Sequence, residues 1–218
     1  MAIKTDRYTH IIWDWNGTLL NDAWLCVDVM NGMLRERHLP ERTLSQYRNI
    51  FNFPVKDYYT QLGFDFNQEP FEVVGMEFMI RYNERQGETM LYQEVPAVLK
   101  RLSDSGFSQS ILSAREQNEL ISETRKLGVN QFFDNIFGLD DHYAHGKTGI
   151  GHKLVKAIGS KRENLVFIGD TRHDAEVAME IGIDCILIPN GHHSPERLEG
   201  FPFPVVPSFI ELIHYLCD

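Results

Sequence analysis

The stretch HIIWDWNGTLL at residues 10–20 decides the fold of this chain. Residues 11–13 are apolar and β-favouring, and the run stops at Asp14 before a turn that contains Gly17 and Thr18. This pattern predicts a buried strand that presents one carboxylate at its carboxyl end, where open parallel sheets bind ligands. A carboxylate there can act as a nucleophile, a metal ligand or both. An ordinary turn after a strand explains the same residues, because Asn-Gly is a common turn pair.

The composition is that of a globular protein and argues against nucleic acid as a partner. The chain has 218 residues, and 31 acidic against 21 basic side chains give it a formal net charge of −10. Such a charge repels a phosphate backbone but suits divalent cations. Cys26, Cys185 and Cys217 have no close spacing, so we expect free thiols. Because no apolar run reaches bilayer length or resembles a signal peptide, we expect no membrane and a cytoplasmic protein.

Strands and helices alternate along most of the chain. After the first strand, apolar β-favouring segments lie at 107–112, 135–139, 165–168 and 184–188, and a short sixth strand is expected at 204–206. Amphipathic segments of helical spacing lie between them. This alternation predicts an α/β fold with a Rossmann-like, doubly wound parallel sheet.

Residues 21–88 interrupt the alternation. We expect mainly helices there, the first of them capped by Asp22, and many aromatic side chains give the region its own apolar surface. The segment is too small to form an independent domain. The predicted organisation is therefore a core of residues 1–20 and 89–218 with an inserted helical cap at residues 21–88.

Polar side chains cluster at the predicted strand ends, which meet at one edge of a parallel sheet. The residues that converge there are Asp14, Asn16, Ser113, Lys147, Asp170 and Asp174. Carboxylates suit Mg²⁺, which leaves positions for water and phosphate oxygens. The Lys147 ammonium would neutralise the charge of a phosphoryl group, and the Ser113 hydroxyl would donate to a phosphoryl oxygen. The pattern thus predicts Mg²⁺-dependent chemistry on a phosphorylated substrate.

In these residues the chain resembles the haloacid dehalogenase superfamily, and within it the phosphoglycolate-phosphatase-like branch with a helical cap of the C1 type. DWNGT at 14–18 resembles the first motif of the family, Ser113 the second, Lys147 the third, and GDTRHD at 169–174 the fourth. The first and fourth motifs are specific at this separation. The resemblance covers nearly the whole chain, and the predicted cap lies between the first and second motifs.

The resemblance implies a nucleophile and a metal site. Asp14 would be the nucleophile that forms an aspartyl phosphate, which water then hydrolyses. The Asp14 carboxylate, the Asn16 backbone carbonyl and Asp170 would hold Mg²⁺. Asp174 would contact the ion indirectly.

The resemblance also implies a motif lysine and a reaction. Lys147 is favoured over Lys153 because Lys147 precedes the helix predicted at 150–158, whereas Lys153 lies within it. The expected reaction is phosphoryl transfer from a small phosphorylated metabolite to Asp14 and then to water.

Asn16 departs from the family motif, which usually has a second aspartate there to protonate the leaving group and activate water. An amide can do neither. Three explanations stay open: a slow phosphatase, a substrate with a good leaving group, or chemistry that needs no such acid. The third would resemble the phosphonatases of the superfamily, in which a cap lysine forms a Schiff base. Lys56 lies in the expected region, although a solvated lysine beside Asp57 explains it better.

Two other interpretations are weaker. Dehalogenation uses the same aspartate nucleophile but leaves Asp170 and Asp174 without a purpose. A degenerate member would bind a phosphorylated ligand without turnover, yet a binding protein need not keep Asp14 and the other motif residues.

Other polar residues near the strand ends favour ordinary surface roles. The histidines at 142, 145, 152 and 173 match no standard zinc spacing. His192 and His193 are expected on the loop after the fifth strand, which borders the site; solvated side chains are the default there and a substrate contact is the alternative. Arg115 and Arg172 either contact a substrate carboxylate or face water.

Overall fold

The computed structural model describes residues 7–139 and 146–217. The strands are β1 (His10–Trp13), β2 (Leu20–Asn21), β3 (Met90–Leu91), β4 (Ser108–Glu116), β5 (Asn135–Leu139), β6 (Leu165–Gly169) and β7 (Asp184–Leu187). The helices are α1 (Ala23–Glu36), α2 (Leu44–Ile50), α3 (Val55–Leu62), α4 (Phe71–Arg85), α5 (Val95–Asp104), α6 (Gln117–Lys126), α7 (Gly146–Ile158), α8 (Arg172–Ile181), α9 (Pro195–Leu198) and α10 (Phe209–Cys217).

The stretch that ends in Asp14 forms the central strand of a five-stranded parallel sheet. The strand order is β5-β4-β1-β6-β7, so β1 pairs with β4 on one side and with β6 on the other. Trp13 is in register with Ile111 and Ile168, and Asp14 therefore leaves the sheet at the middle of its carboxyl edge. This topology confirms the predicted α/β fold, and it places the candidate residues along a single edge.

Alternate side chains of β1 point to opposite faces of the sheet, as the pleat requires. Ile11 and Trp13 are fully buried on the face covered by α5, α6 and α10. Ile12 is fully buried on the other face, under α7 and α8. Burial on both sides explains why this strand is a continuous apolar run and not an alternating one.

The four helices α1–α4 follow β1 and pack around an apolar cluster of their own, which includes Leu25, Met33, Tyr59 and Val74. The chain enters and leaves this helical segment through β2 and β3, which pair antiparallel. No strand was predicted there, because two residues are too short to show a period of two. The cap boundaries at residues 21–88 stay a prediction.

The second strand of the core is longer than predicted. It was expected to end before Ser113, but β4 continues to Glu116. Its pairing with β5 is irregular between Leu112 and Glu116, where the Ser113 Oγ accepts a hydrogen bond of 3.1 Å from the Arg115 backbone N–H. Ser113 therefore lies inside an irregular strand and not after its end.

The prediction of a short sixth strand at 204–206 was wrong. Only an isolated bridge joins Val205 to Leu187. Pro204 and Pro207 flank this position and lack the N–H donors that a longer ladder needs.

Cys26, Cys185 and Cys217 are free thiols, as expected. Across the two described ranges, every helix is too short or too polar to cross a bilayer. The last helix begins as the sequence indicated, because the Ser208 Oγ accepts from the Glu211 backbone N–H at 3.2 Å.

Packing within the helical segment can be tested by a pair of methionines. Met33 is fully buried in its apolar cluster, and Met76 on α4 is 58% exposed. We expect Met33→Ala to lower the free energy of unfolding by about 2–5 kcal/mol because it leaves a cavity. The matched variant Met76→Ala should change it by less than about 0.5 kcal/mol. Urea unfolding measures both values, and equal effects would contradict this packing.

Candidate active site

Asp14 lies at the carboxyl end of the central strand. Its backbone N–H donates to the Ile168 carbonyl at 2.8 Å, which extends the pairing of β1 with β6 by one residue. The residue is only 6% exposed. One carboxylate oxygen contacts the Lys147 ammonium, and the other accepts from the Thr18 hydroxyl at 3.2 Å. The carboxylate is thus held in place by a cation and a hydroxyl.

Lys147 bridges two carboxylates. Its buried ammonium contacts Asp14 and lies 2.6 Å from Asp174 Oδ1. The prediction that Lys147 precedes its helix was wrong, because α7 begins at Gly146 and Lys147 lies in the first turn. Lys153 is exposed on the same helix. The structure therefore places Lys147, and not Lys153, against Asp14.

Asp170 and Asp174 approach Asp14 from the loop between β6 and α8. Asp174 is buried in the first turn of α8, where its carboxylate accepts from the Thr171 backbone N–H at 2.9 Å in a reciprocal capping box. Asp170 is fully buried and accepts from the Thr18 hydroxyl at 2.8 Å. One oxygen from each of Asp14, Asp170 and Asp174 lies within 4.8 Å of the others.

Two glycines allow the loop after β7 to close over these carboxylates. A side chain at Gly17, where φ is +77°, would collide with the ring of His192 and with the Asp170 carboxylate. A side chain at Gly191 would collide with the same carboxylate. The His192 backbone N–H can therefore donate to Asp170 Oδ2 at 2.6 Å.

Burial and charge perturb the acidic groups in different directions. Burial raises the pKa of Asp14 to about 7, although Lys147 opposes the shift. Burial likewise raises the pKa of Asp170 to about 6. Burial also acts against ionisation of Asp174, but Lys147 and Thr171 outweigh it and hold its pKa below the usual value. Three ionised carboxylates and one ammonium would leave an excess of two negative charges, which matches the charge of a divalent cation.

The chemistry of the donors fits Mg²⁺. Carboxylate oxygens are the ligands that this ion prefers. Burial raises the pKa values of Asp14 and Asp170, and the neighbouring Asp174 carboxylate adds to both shifts. Asp14 and Asp170, with the Asn16 backbone carbonyl, are the candidates to hold it. Asp174 is tied to Thr171 and Lys147, which agrees with an indirect contact.

Asn16 is partly exposed and belongs to a polar triangle that the sequence did not reveal. Its Nδ2 donates to Asp22 Oδ2 at 2.8 Å and to the Tyr82 hydroxyl at 3.1 Å. The Tyr82 hydroxyl donates in turn to Asp22 Oδ2 at 2.7 Å. The expectation that Asp22 caps α1 was wrong, because its side chain makes no capping hydrogen bond and faces this triangle and the Gly17 backbone N–H instead.

His192 completes this network, and the expectation of a solvated loop was wrong for it and for His193. Both side chains are buried. The His192 Nδ1 is 2.8 Å from the Tyr47 hydroxyl of α2, and its Nε2 is 3.4 Å from Asp22 Oδ1. Burial opposes the imidazolium form, but Asp22 outweighs it and raises the pKa of His192 to about 9. Only the adjacent Gly191, which allows close packing, marks this position in the sequence.

Ser113 is buried beside the site. In the register that pairs Trp13 with Ile111, it lies one residue beyond the level of Asp14. Its neighbour Arg115 turns towards Glu123, at 3.4 Å, and not towards open solvent.

The remaining candidates lie on other surfaces. Lys56 is exposed on α3, with its ammonium 5.6 Å from the centre of the Phe66 ring. His152 is exposed, and His173 is 3.7 Å from Glu176. Arg172 packs over the ring of Phe201. The histidines at 142 and 145 lie outside the described residues.

A buried ammonium that lies against two aspartates at the carboxyl edge of a parallel sheet can stabilise negative charge on a phosphoryl group. Residues 11–188 match the sequence profile of the haloacid dehalogenase-like hydrolases, and the chain belongs to this family. This membership confirms the resemblance seen in the motifs.

The relatives that this chain is similar to include phosphatases. It is 22% identical over 211 residues to a phosphoglycolate phosphatase from Rhodobacter capsulatus, and this alignment covers 92% of this chain and 96% of the relative. It is 26% identical over 124 residues to the pyrophosphatase PpaX of Halalkalibacterium halodurans, and this alignment covers 56% of this chain and 58% of the relative. A haloacid dehalogenase-like hydrolase from Streptococcus pneumoniae has the same fold, with a TM-score of 0.81, 22% identity, and 95% and 98% of the two chains covered.

Metal binding can be tested through the pH dependence of stability. Because the folded-state pKa values of Asp14 and Asp170 lie above the unfolded value, metal-free protein loses stability as pH rises through about 6–7. Mg²⁺ should compensate, so its effect on Tm should be larger at alkaline than at acidic pH. At an Mg²⁺ concentration of about 100 Kd, the free energy of unfolding should increase by about 2.7 kcal/mol. This increase corresponds to a rise of several degrees in Tm.

The matched variants are Asp170→Asn, which should lose the response to Mg²⁺, and Asp57→Asn on the exposed surface of α3, which should keep it. Differential scanning fluorimetry with and without Mg²⁺ measures both. An equal response in the two variants would place the ion elsewhere.

Proposed function

We propose that this protein is a Mg²⁺-dependent phosphatase of the cytoplasm that transfers the phosphoryl group of a small phosphorylated metabolite to Asp14 and then to water. The contact of the buried Asp14 carboxylate with the Lys147 ammonium, beside Asp170 and Asp174, carries the proposal. The names of the relatives, a phosphoglycolate phosphatase and a pyrophosphatase, support a small phosphorylated substrate.

The chain's own residues supply the nucleophile and its surroundings. An Asp14 carboxylate oxygen attacks phosphorus, while Thr18 and Lys147 fix the orientation of the carboxylate. The Lys147 ammonium and the Ser113 hydroxyl neutralise and bind the phosphoryl oxygens. When bound, Mg²⁺ supplies charge neutralisation between the carboxylates and the phosphoryl group.

The helical segment at 21–88 acts in this proposal as a cap that covers the site. Two of its helices reach the core, α2 through the Tyr47 hydroxyl on His192 and α4 through the Tyr82 hydroxyl, which accepts from Asn16. These contacts hold the two helices against the side of the site that Asn16 occupies. Opening and closing of the cap would admit substrate and release product.

The phosphonatase alternative has no observation in its favour. Lys56 is exposed and lies over Phe66, while the ammonium beside Asp14 belongs to Lys147. A binding protein without turnover is also disfavoured, because it needs no buried carboxylate that pairs with a buried lysine.

The nucleophile can be tested by an isosteric variant. Asp14→Asn should reduce Mg²⁺-dependent phosphate release from acetyl phosphate or pyrophosphate by roughly 10³-fold or more, because it removes the attacking oxygen. Phosphate release and circular dichroism are measured together, so that a loss of fold is separated from a loss of chemistry.

The exposed variant Asp57→Asn serves as the matched control and should keep wild-type activity. Retention of phosphate release by Asp14→Asn would overturn the proposal.

A further inference from the structure

The polar triangle of Asn16, Asp22 and Tyr82 determines which substrates the site can turn over. The Asn16 Nδ2 faces both the Asp22 carboxylate and the Tyr82 hydroxyl, whose oxygens lie 2.7 Å apart on the same side of the amide nitrogen. The amide is therefore fixed with its nitrogen towards the triangle, and its oxygen points away from Asp22. In that orientation Asn16 presents an acceptor, which carries no proton for a leaving group.

The neighbouring groups do not replace the missing acid. Asp22 receives donors from Asn16, Tyr82 and the Gly17 backbone, and lies beside the His192 ring, so its carboxylate acts as an acceptor. The two ring nitrogens of His192 face Asp22 and the Tyr47 hydroxyl, and neither faces Asp14.

The groups that touch Asp14 are also engaged. The Thr18 hydroxyl has a single hydrogen for two carboxylates, those of Asp14 and Asp170. The Lys147 ammonium is shared by Asp14 and Asp174. Among residues 7–139 and 146–217, the side chains in hydrogen-bond contact with the Asp14 carboxylate are those of Thr18 and Lys147, and neither is a carboxyl or an imidazole group.

From this arrangement we infer that the substrates are phosphoryl compounds whose leaving oxygen is stable as an anion, namely acyl phosphates or phosphoric anhydrides, and not alkyl phosphate esters. The inference rests on the proposed function, since it needs Asp14 as the nucleophile.

The reaction balances without a proton donor. An Asp14 oxygen forms a bond to phosphorus while the bond from phosphorus to the leaving oxygen breaks, and the leaving group departs with the electron pair as a carboxylate or phosphate. Water then attacks phosphorus, the bond to the Asp14 oxygen breaks, and both water protons leave with the inorganic phosphate as H₂PO₄⁻ before one passes to solvent. Asp14 is restored as a carboxylate.

A single change at Asn16 would place two carboxyl groups against each other in the triangle, and they would share one proton. In Asn16→Asp the new carboxylate would replace an N–H donor 2.8 Å from the buried Asp22 carboxylate. The double variant Asn16→Asp with Asp22→Asn keeps the net charge and reverses the direction of the hydrogen bond between positions 16 and 22. The new amide at position 22 donates to the new carboxylate at position 16, and the Tyr82 hydroxyl donates to that carboxylate as well. The exchange places a carboxyl group at position 16, and the second oxygen of that group lies outside the triangle.

The experiment measures kcat/KM of the full chain with Mg²⁺ for dinitrophenyl, nitrophenyl and phenyl phosphate, which differ in the pKa of the leaving phenol. Acetyl phosphate, pyrophosphate and glycerol phosphate complete the panel, and the first two distinguish an acyl phosphate from an anhydride. We expect a steep decrease of kcat/KM with leaving-group pKa in the wild type. In the exchanged variant, the ratio of kcat/KM for glycerol phosphate to that for acetyl phosphate should rise by about 10²–10⁴-fold, the usual contribution of a general acid.

The outcomes separate this inference from the proposed function. Asp14-dependent hydrolysis with no dependence on the leaving group would overturn the inference and leave the phosphatase intact. No hydrolysis that requires Asp14, for any member of the panel, would overturn both. If the exchanged variant does not fold, the wild-type dependence alone decides.

Discussion

The site depends on the Lys147 ammonium that lies between Asp14 and Asp174. Asp14, Asp170 and Asp174 are buried, and burial of carboxylates is costly unless opposite charge lies beside them. The first turns of α7 and α8 deliver Lys147 and Asp174 to the same place from two parts of the chain. The arrangement therefore requires that β1 be central, since only then do both helices reach the end of the strand that carries Asp14.

A second polar layer lies behind the first and joins the helical segment to the core. Asp22 is its centre, because it receives hydrogen bonds from Asn16 and Tyr82 and lies beside the charged ring of His192. His192 also donates its backbone N–H to Asp170. Movement of α2 or α4 would therefore change the surroundings of Asn16 and Asp170 together, which gives a physical link between closure of the helices and chemistry at Asp14.

The sheet and the carboxylates were predictable because their signals are local. The apolar run that stops at Asp14 and the capping box around Asp174 are visible within a few residues of sequence. The Asp22 network was not predictable, because its partners Tyr82 and His192 lie 60 and 170 positions further along the chain. Asp22 also fits the local pattern of a helix cap, and only tertiary contacts show that its carboxylate faces elsewhere.

The central claim is that Asp14 becomes phosphorylated during turnover. The most direct measurement is acid quenching of the protein during turnover of acetyl phosphate with Mg²⁺, followed by proteolysis and mass spectrometry. Our account predicts one phosphoryl group on the peptide that contains Asp14, and reduction of that peptide by borohydride should convert Asp14 to homoserine. It also predicts that this species accumulates, because Asn16 cannot take a proton from the attacking water. Turnover of acetyl phosphate with Asp14 unmodified at every quench time, or with the phosphoryl group on another residue, would contradict the account.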